Sequence, residues 1–305
     1  MKNFFLTTIV YALSWCSFAQ TYAVVYPEAR MPFAQIYSDM LEGIKLNTTK
    51  SISTLQTGPA TSKQSIKEWL AVKNPQVIIL LGTTQAVEIV GENIRPPIII
   101  GGVISKPEVL HQHIFARTLS PHPRLIVQHA ILLKPQLKNI YALYEIKQNQ
   151  WVIELTEKNI GHVEIRPLPV SNISEAATTL RDALKIINPS TDAIWLLHDI
   201  IAANEEVVLT PLLKASWEKN LLTISSNPSH VARGIVFSFL PQNKIAGKNL
   251  VELADKINAN EKQVEQLGAS DTGLWVVNIR TAKHLQLQLS REVEEKIDVI
   301  LPKRQ

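Results

Sequence analysis

The chain has 305 residues, 46% of them hydrophobic, a formal net charge of +4 and a single cysteine. That length supports a large core and favours two domains. A lone cysteine excludes a disulfide framework, and Lys and Arg interleaved with Asp and Glu on helix faces exclude the basic stripe of a nucleic-acid binder.

Residues 1–19 differ from the rest. Lys2 precedes an apolar run from Phe4 to Val10 that continues to Leu13, and Ser17-Phe18-Ala19 places small residues at the −3 and −1 positions of a cleavage site. Basic start, short apolar middle and small-residue end read as a secretory signal peptide. A membrane anchor is the alternative, but the run is short for a bilayer. Lipidation at Cys16 needs a small residue before it, and Trp15 stands there. Cleavage after Ala19 leaves a mature chain of formal charge +3, since Lys2 is lost, and without cysteine. Disulfides, iron–sulfur clusters and thiol catalysis are then excluded. No later stretch is long and apolar enough for a transmembrane helix, so a periplasmic protein is expected.

Strand and helix patterns then alternate. Tyr22 to Tyr26 reads as a strand, followed by the loop Pro27-Glu28-Ala29-Arg30. Ala34 to Leu46 is amphipathic, with Ile36, Met40, Leu41 and Ile44 on one side. Ser51 to Leu55 is a weak strand and Ser65 to Val72 a helix. The continuous apolar run Val77 to Leu81 reads as a strand buried on both faces. Gly82, Thr83 and Thr84 follow it at once, and a helical pattern begins. Unpaired N–H groups and the positive end of a helix dipole gather at such a junction, which marks the ligand end of a parallel sheet. Pro97 to Ile100 is the next strand, ending in Gly101-Gly102. The series is βαβ, which implies parallel strands with right-handed crossovers.

A second series begins after Thr118-Leu119-Ser120. Pro123 lies in the first turn of a helix to about Leu133. Asn139 to Tyr144 is a strand, Gln150 to Asn159 a helix ended by Gly161, and Val163 to Leu168 a strand. Ile173 to Ile187 is a helix capped near Ser171 or Asn172. Ala193 to Leu197 is a strand, and Glu205 to Lys219 is helical despite Pro211. Leu221 to Ile224 and Ile235 to Phe239 are strands, Gln242 to Ala259 a helix and Leu274 to Asn278 a strand. The chain reads as two similar α/β halves joined near residues 117–121.

Five segments carry a resemblance: IILLGTTQAVEIV (Ile78 to Val90), PPIIIGGVISKPEV (Pro96 to Val109), LKPQLKNIYALYE (Leu133 to Glu145), DAIWLLHDIIAAN (Asp192 to Asn204) and VVNIRTAKHLQLQLSREVEEKIDVI (Val276 to Ile300). In order and spacing they are similar to type I periplasmic binding proteins. More closely, they resemble the ABC transporter substrate-binding family whose members take aromatic or branched amino acids. The last segment is the most specific. The resemblance implies an α/β fold of two Rossmann-like lobes with parallel sheets, joined by three crossing segments and closing on a ligand like a flytrap. It implies crossings near Leu119, near Leu240 and between about Leu267 and Asn278. Lobe one would be 20–118 plus 241–272, and lobe two 119–240 plus 273–305.

The resemblance places the ligand among loops at the carboxyl ends of strands in both lobes. Lobe one would supply Glu28, Gly82, Thr83, Thr84, Gln85 and Ser105. Lobe two would supply Glu145, Asp199, Ser226 and Asn227. Thr83 and Thr84 can cap the helix, donate to a ligand carboxylate, or both. Asp199 can pair with a ligand ammonium or serve as a cap. His198 lies beside it, and Ser225 is a further donor. Tyr144 and Trp195 read as core rather than a stacking surface. Two departures stand out. The charged run Glu145 to Gln150 replaces the family's small Asn-Pro-type turn, and Leu240-Pro241-Gln242 replaces aromatic and acidic residues. Both imply a changed or lost ligand.

The sequence has no GxxxxGK[ST], GxGxxG, GxSxG or HExxH, so neither a nucleotide loop nor a hydrolase motif is present. His111, His113, His122 and His129 crowd one region, where zinc binding competes with scattered surface histidines. No cofactor is expected. The expected function is capture of a small polar ligand, amino acid or related compound, by a monomer that presents it to an ABC permease. A module docking on a separate membrane sensor is the alternative, a degenerate binding protein without a transport role another, and an exported enzyme a third.

Overall fold

A computed structural model of the chain describes residues 21–82, 94–110, 113–156, 160–261 and 263–302. The segment read as a signal peptide lies outside them. So does the helix expected after Gly82.

The first sheet begins with β1 (Thr21–Pro27), β2 (Ser51–Thr57), β3 (Val77–Leu81), β4 (Ile98–Val103) and β5 (Ile114–Pro121), in the spatial order β2-β1-β3-β4-β5. Every pairing is parallel. All five residues of β3 are buried, as a strand covered on both faces requires. Alternation sends them to opposite layers. Val77, Ile79 and Leu81 pack with Met40 and Ile44 of α1 (Phe33–Leu46). Ile78 and Leu80 pack with Ile66 and Leu70 of α2 (Lys63–Lys73).

The second sheet repeats the plan. α3 (Pro123–Leu133) leads to β6 (Asn139–Glu145), α4 (Ile146–Glu154), β7 (Glu164–Val170), α5 (Ile173–Ile186) and β8 (Asp192–Leu196). A π-helical turn, Glu205–Leu209, then opens α6 (Thr210–Lys219), with Pro211 in its first turn. The wider turn relieves a proline that lacks an N–H and would crowd the preceding carbonyls. β9 (Leu222–Ser225), α7 (Ser229–Arg233) and β10 (Phe237–Leu240) complete the order β7-β6-β8-β9-β10, parallel throughout.

The chain then returns to the first sheet. α8 (Asn243–Asn258) packs on α1 so closely that a Cβ on Gly43 would meet the Lys244 carbonyl oxygen at 2.0 Å, and one on Gly247 the Met40 oxygen at 2.1 Å. Tyr22 donates to the Asp255 carboxylate at 2.6 Å and ties β1 to the same helix. β11 (Leu267–Ser270) adds to β5, and the chain crosses back into β12 (Leu274–Asn278), which is antiparallel to β10. α9 (Ile279–His284), α10 (Arg291–Glu294) and β13 (Val299–Leu301) finish the fold.

The chain thus passes between sheets three times: at His122, at Pro241-Gln242, and over 271–273. The passages touch. The His122 N–H donates to the Ser270 oxygen at 2.8 Å, and a Cβ on Gly273 would stand 2.9 Å from that of Phe239.

Some elements differ from expectation. Residues 117–121, read as the junction of the halves, are the end of strand β5, and Glu145 to Gln150 is a strand end running straight into α4 rather than a loop.

Candidate ligand site

In both sheets strand order reverses beside the first strand, between β1 and β3 and between β6 and β8. Connections leave in opposite directions there, so a crevice opens at the carboxyl ends. A cavity lies beside each crevice at the carboxyl ends: about 220 Å³ between the ends of β1 and β2 and α1 in the first lobe, and about 410 Å³ between the loops after β8 and β9 in the second.

The first cavity is lined by Tyr26, Pro27, Ala29, Tyr37 and Gln56, among others. Gly82 borders Tyr37. Its φ is +83°, and a Cβ there would stand 2.6 Å from the Tyr37 hydroxyl, so both conformation and space demand glycine. Its N–H donates to the Gly101 oxygen at 2.8 Å. Burial pushes the Tyr37 phenol pKa up, leaving a neutral hydroxyl. Glu28 is exposed, with its N–H on the Thr57 oxygen at 2.7 Å. Ser105 is exposed after β4. Thr83, Thr84 and Gln85 lie outside the described residues.

The second cavity is lined by His198, Asp199, Ile200, Asn204, Glu205, Glu206, Asn227 and His230, among others. Asp199 is buried and fully engaged. One oxygen accepts from the Glu145 N–H and from Asn149 Nδ2, each at 3.0 Å. The other accepts from the Ile201 N–H at 3.0 Å and from the Ala202 N–H. It stitches the start of α4 to the loop after β8, across the switch point. Burial raises its pKa, and the four hydrogen bonds pull it back. Glu145 is equally committed: buried, it caps α4 by accepting the Gln148 N–H at 2.8 Å. Ser226 accepts from the buried Trp195 indole at 2.9 Å. Trp195 and Tyr144 are both core, the latter donating to Gln150 at 2.7 Å.

Asn227 organises the opposite wall. Its Oδ1 accepts the Ser229 N–H at 3.1 Å, which fixes the amide orientation. Its Nδ2 therefore donates to His230 Nε2 at 3.2 Å, and the ring proton sits on Nδ1, facing Ser225 Oγ at 3.0 Å. Burial, with the Arg233 charge behind it, holds the His230 pKa below the ordinary histidine value. His230 is thus a neutral member of the wall.

Beside His198, Asp199 and Asn227, which the sequence offered, the cavity has side chains that it did not. Glu205 and Glu206 are exposed, and Glu206 has no side-chain partner among the described residues, whereas Glu205 pairs with Arg233 at 2.5 Å. Ile200, 80% exposed, forms an apolar lip. Tyr37 and Glu206 were missed because they sit within helical patterns, and His230 because the short α7 that carries it has no pattern of its own in the sequence. Their signal is position, one to three turns beyond a strand end. Of the clustered histidines, His122 caps α3 through the Arg124 N–H, His129 packs edge-on against Phe239 and Trp275, His113 is exposed, and His111 lies outside the described residues. Among the described residues no group of three His, Cys, Asp or Glu is arranged to hold a metal ion, and no helix is long and apolar enough to cross a membrane.

No family model and no curated protein sequence matches the chain. Solved structures do. The ligand-free, open structure of a substrate-binding protein with adhesive properties from Clostridium difficile superposes with a TM-score of 0.62 at 14% identity, covering 93% of this chain and 100% of that one. An ABC domain in complex with L-Trp from Streptococcus pneumoniae gives 0.54 at 15% identity over 92% and 99%. A conserved domain protein from Vibrio cholerae gives 0.52 at 14% over 92% and 99%. The chain has the two-lobed fold of type I periplasmic binding proteins.

Proposed function

We propose that the chain is a solute-binding protein, exported by residues 1–19 and periplasmic. It would take a small polar ligand between lobes 20–118 plus 241–272 and 119–240 plus 273–305, and present it as a monomer to an ABC permease. The observation that carries this reading is the pair of cavities at the carboxyl ends of the two sheets, beside their topological switch points, the end at which open α/β sheets bind ligands. The role is binding rather than catalysis.

Within this reading Glu28, Gly82, Thr83, Thr84, Gln85 and Ser105 form the lobe-one jaw, with Tyr37 as a neutral hydroxyl. Glu145, Asp199 and Ser226 shape the opposite wall through internal hydrogen bonds, and Asn227, His198 and Glu206 reach the solute. A carboxylate at Glu206 without a side-chain partner among the described residues favours a ligand bearing an ammonium, as an amino acid does. Ile200 then covers an apolar part of the same molecule.

A thermal-shift screen of the mature protein against amino acids, nucleosides, sugars and small acids tests this, because a ligand held only by the folded state raises Tm. An amino acid should raise it, and Glu206→Gln should weaken the response about tenfold, the worth of one charge-assisted hydrogen bond. Asp199→Ala should lower Tm before any ligand is added. A Tm unmoved by every ligand class overturns the solute-binding reading; an unchanged response in Glu206→Gln overturns the assignment of the ammonium contact.

A further inference from the structure

We propose that lobe two carries a second small-molecule site, outside the cleft, which takes a compact oxyanion: a carboxylate or a phosphate. A cavity of about 330 Å³ opens where β10 begins and β12 ends, which is the end of the sheet away from the candidate ligand site. Its described lining includes Arg233, Arg280, Thr281 and Trp217 and contains no acidic side chain. The cleft-side cavity has the opposite character, with Asp199, Glu205 and Glu206 and no Lys or Arg among its described lining. The short α7 stands between them, His230 facing one cavity and Arg233 the other.

Arg280 is exposed and has no side-chain partner among the described residues. A guanidinium offers five N–H donors in a planar fork that matches the two oxygens of a carboxylate or phosphate. Thr281 sets a hydroxyl next to it in sequence. Trp217 gives the cavity a rigid flat wall: its ring stacks on His284 with centroids 3.5 Å apart and planes 6° from parallel, and His284 Nε2 donates to the Trp217 oxygen at 3.0 Å. Two arginines from separate elements, a hydroxyl and a flat wall, in a cavity whose described lining has no acidic side chain, form a receptor for an oxyanion small enough for that volume.

Arg233 is shared. Its ion pair with Glu205, at 2.5 Å, reaches across α7 to the cleft-side cavity. An oxyanion in the second site competes with Glu205 for that guanidinium and returns the Glu205 carboxylate to the cleft side. The two sites are therefore coupled, and coupling of this kind is reciprocal.

The test titrates the mature protein with inorganic phosphate and, separately, with acetate, each against chloride at matched ionic strength. Fluorescence reports on Trp217, with Trp217→Phe identifying its share. Saturable quenching by phosphate or acetate but not chloride is expected, and which of the two acts identifies the oxyanion. Arg280→Gln should weaken binding about tenfold, and Glu205→Gln, by releasing Arg233, should tighten it several-fold. Arg280 is exposed, so an unchanged Tm in chloride verifies that its variant folds; should Tm fall, the gain in Glu205→Gln decides alone. Equal responses to chloride, or no change in either variant, overturn the proposal. The titration uses no solute and reads Trp217 and Arg280, which line this cavity and not the cleft-side one, so its outcome is separate from that of the solute screen.

Discussion

At the scale of single residues, two buried side chains at the cleft end of lobe two already have partners. Asp199 spends four hydrogen bonds on backbone and amide donors, and His230 is held neutral between Asn227 and Ser225. A pH dependence follows from the histidine. In the unfolded chain a histidine titrates near pH 6.5. In the fold, burial is the largest effect and depresses that value, the Arg233 and His198 charges act in the same direction, and Glu205 opposes them. Below about pH 6.5 the unfolded state therefore takes the proton first, and stability contributed by neutral His230 is lost as pH falls towards its folded value. Above that window the group contributes no slope. Asp199, whose pKa is raised, acts with the opposite sign from its ordinary value upward, so the variant difference is the quantity to measure. Urea unfolding from pH 7.5 to 5 should show a shallower acid loss in His230→Gln than in the wild type. Equal slopes would remove His230 as a buried neutral group. Protonation would also place two donors face to face at Nε2 and the Asn227 amide, so the cleft wall should loosen over the same range.

At the scale of elements, the joining of α1 to α8 is decided by two glycines. Gly43 and Gly247 each let the other helix's backbone approach to a distance no Cβ allows. Helix propensity alone makes Gly247→Ala favourable by about 1 kcal/mol. The Met40 carbonyl 2.1 Å from the added methyl reverses the sign, since forced overpacking costs about 1–3 kcal/mol. Gly247→Ala should thus lower the denaturation midpoint, and an equal or higher midpoint would show that α8 docks more loosely than described. The same comparison shows what the sequence could tell. The β3 run and the periodicity of α1 were legible, because burial on two faces and on one stripe leave different patterns. β5 was not, since Arg117 interrupts it. That guanidinium folds back to bond the Ala116 and Glu265 oxygens, over Gly268 of β11, a contact between residues far apart in the chain. β11 itself, LGAS, has one large apolar residue and no periodicity to read. The sequence pointed to loops at strand ends, and both cavities border such loops. The roles within it were not, because a carboxylate that caps and one that meets a ligand look alike until the donors around it are placed. Glu145 and Asp199 read as ligand contacts for that reason.

At the scale of the whole molecule, the two sheets have their own cores, shared among the described residues only at β11, whose Ala269 packs into the second lobe's core, and they meet through three short passages that lie against one another. The proposed closure on a solute needs those passages to bend together, and at Gly273 the third lies close against the strand that leads into the second. A Cβ there would meet the Phe239 side chain at 2.9 Å and the Leu240 oxygen at 3.3 Å, so a branched side chain must push the second and third passages apart. Hinges absorb their change in a few loop residues of this kind. A single compact chain of this length has a radius of gyration of about 19 Å. The ligand-free mature protein should exceed that in small-angle X-ray scattering, and should shrink when a solute from the thermal-shift screen is added. Gly273→Val should retain the far-UV circular dichroism of the wild type, because both sheets lie outside the passage, yet lose the ligand-induced shrinkage and bind more weakly. A ligand stabilises the closed form only by its greater affinity for it, so a hinge that cannot reach that form forfeits the difference. Shrinkage of the same amplitude in Gly273→Val would show that the lobes close about some other segment.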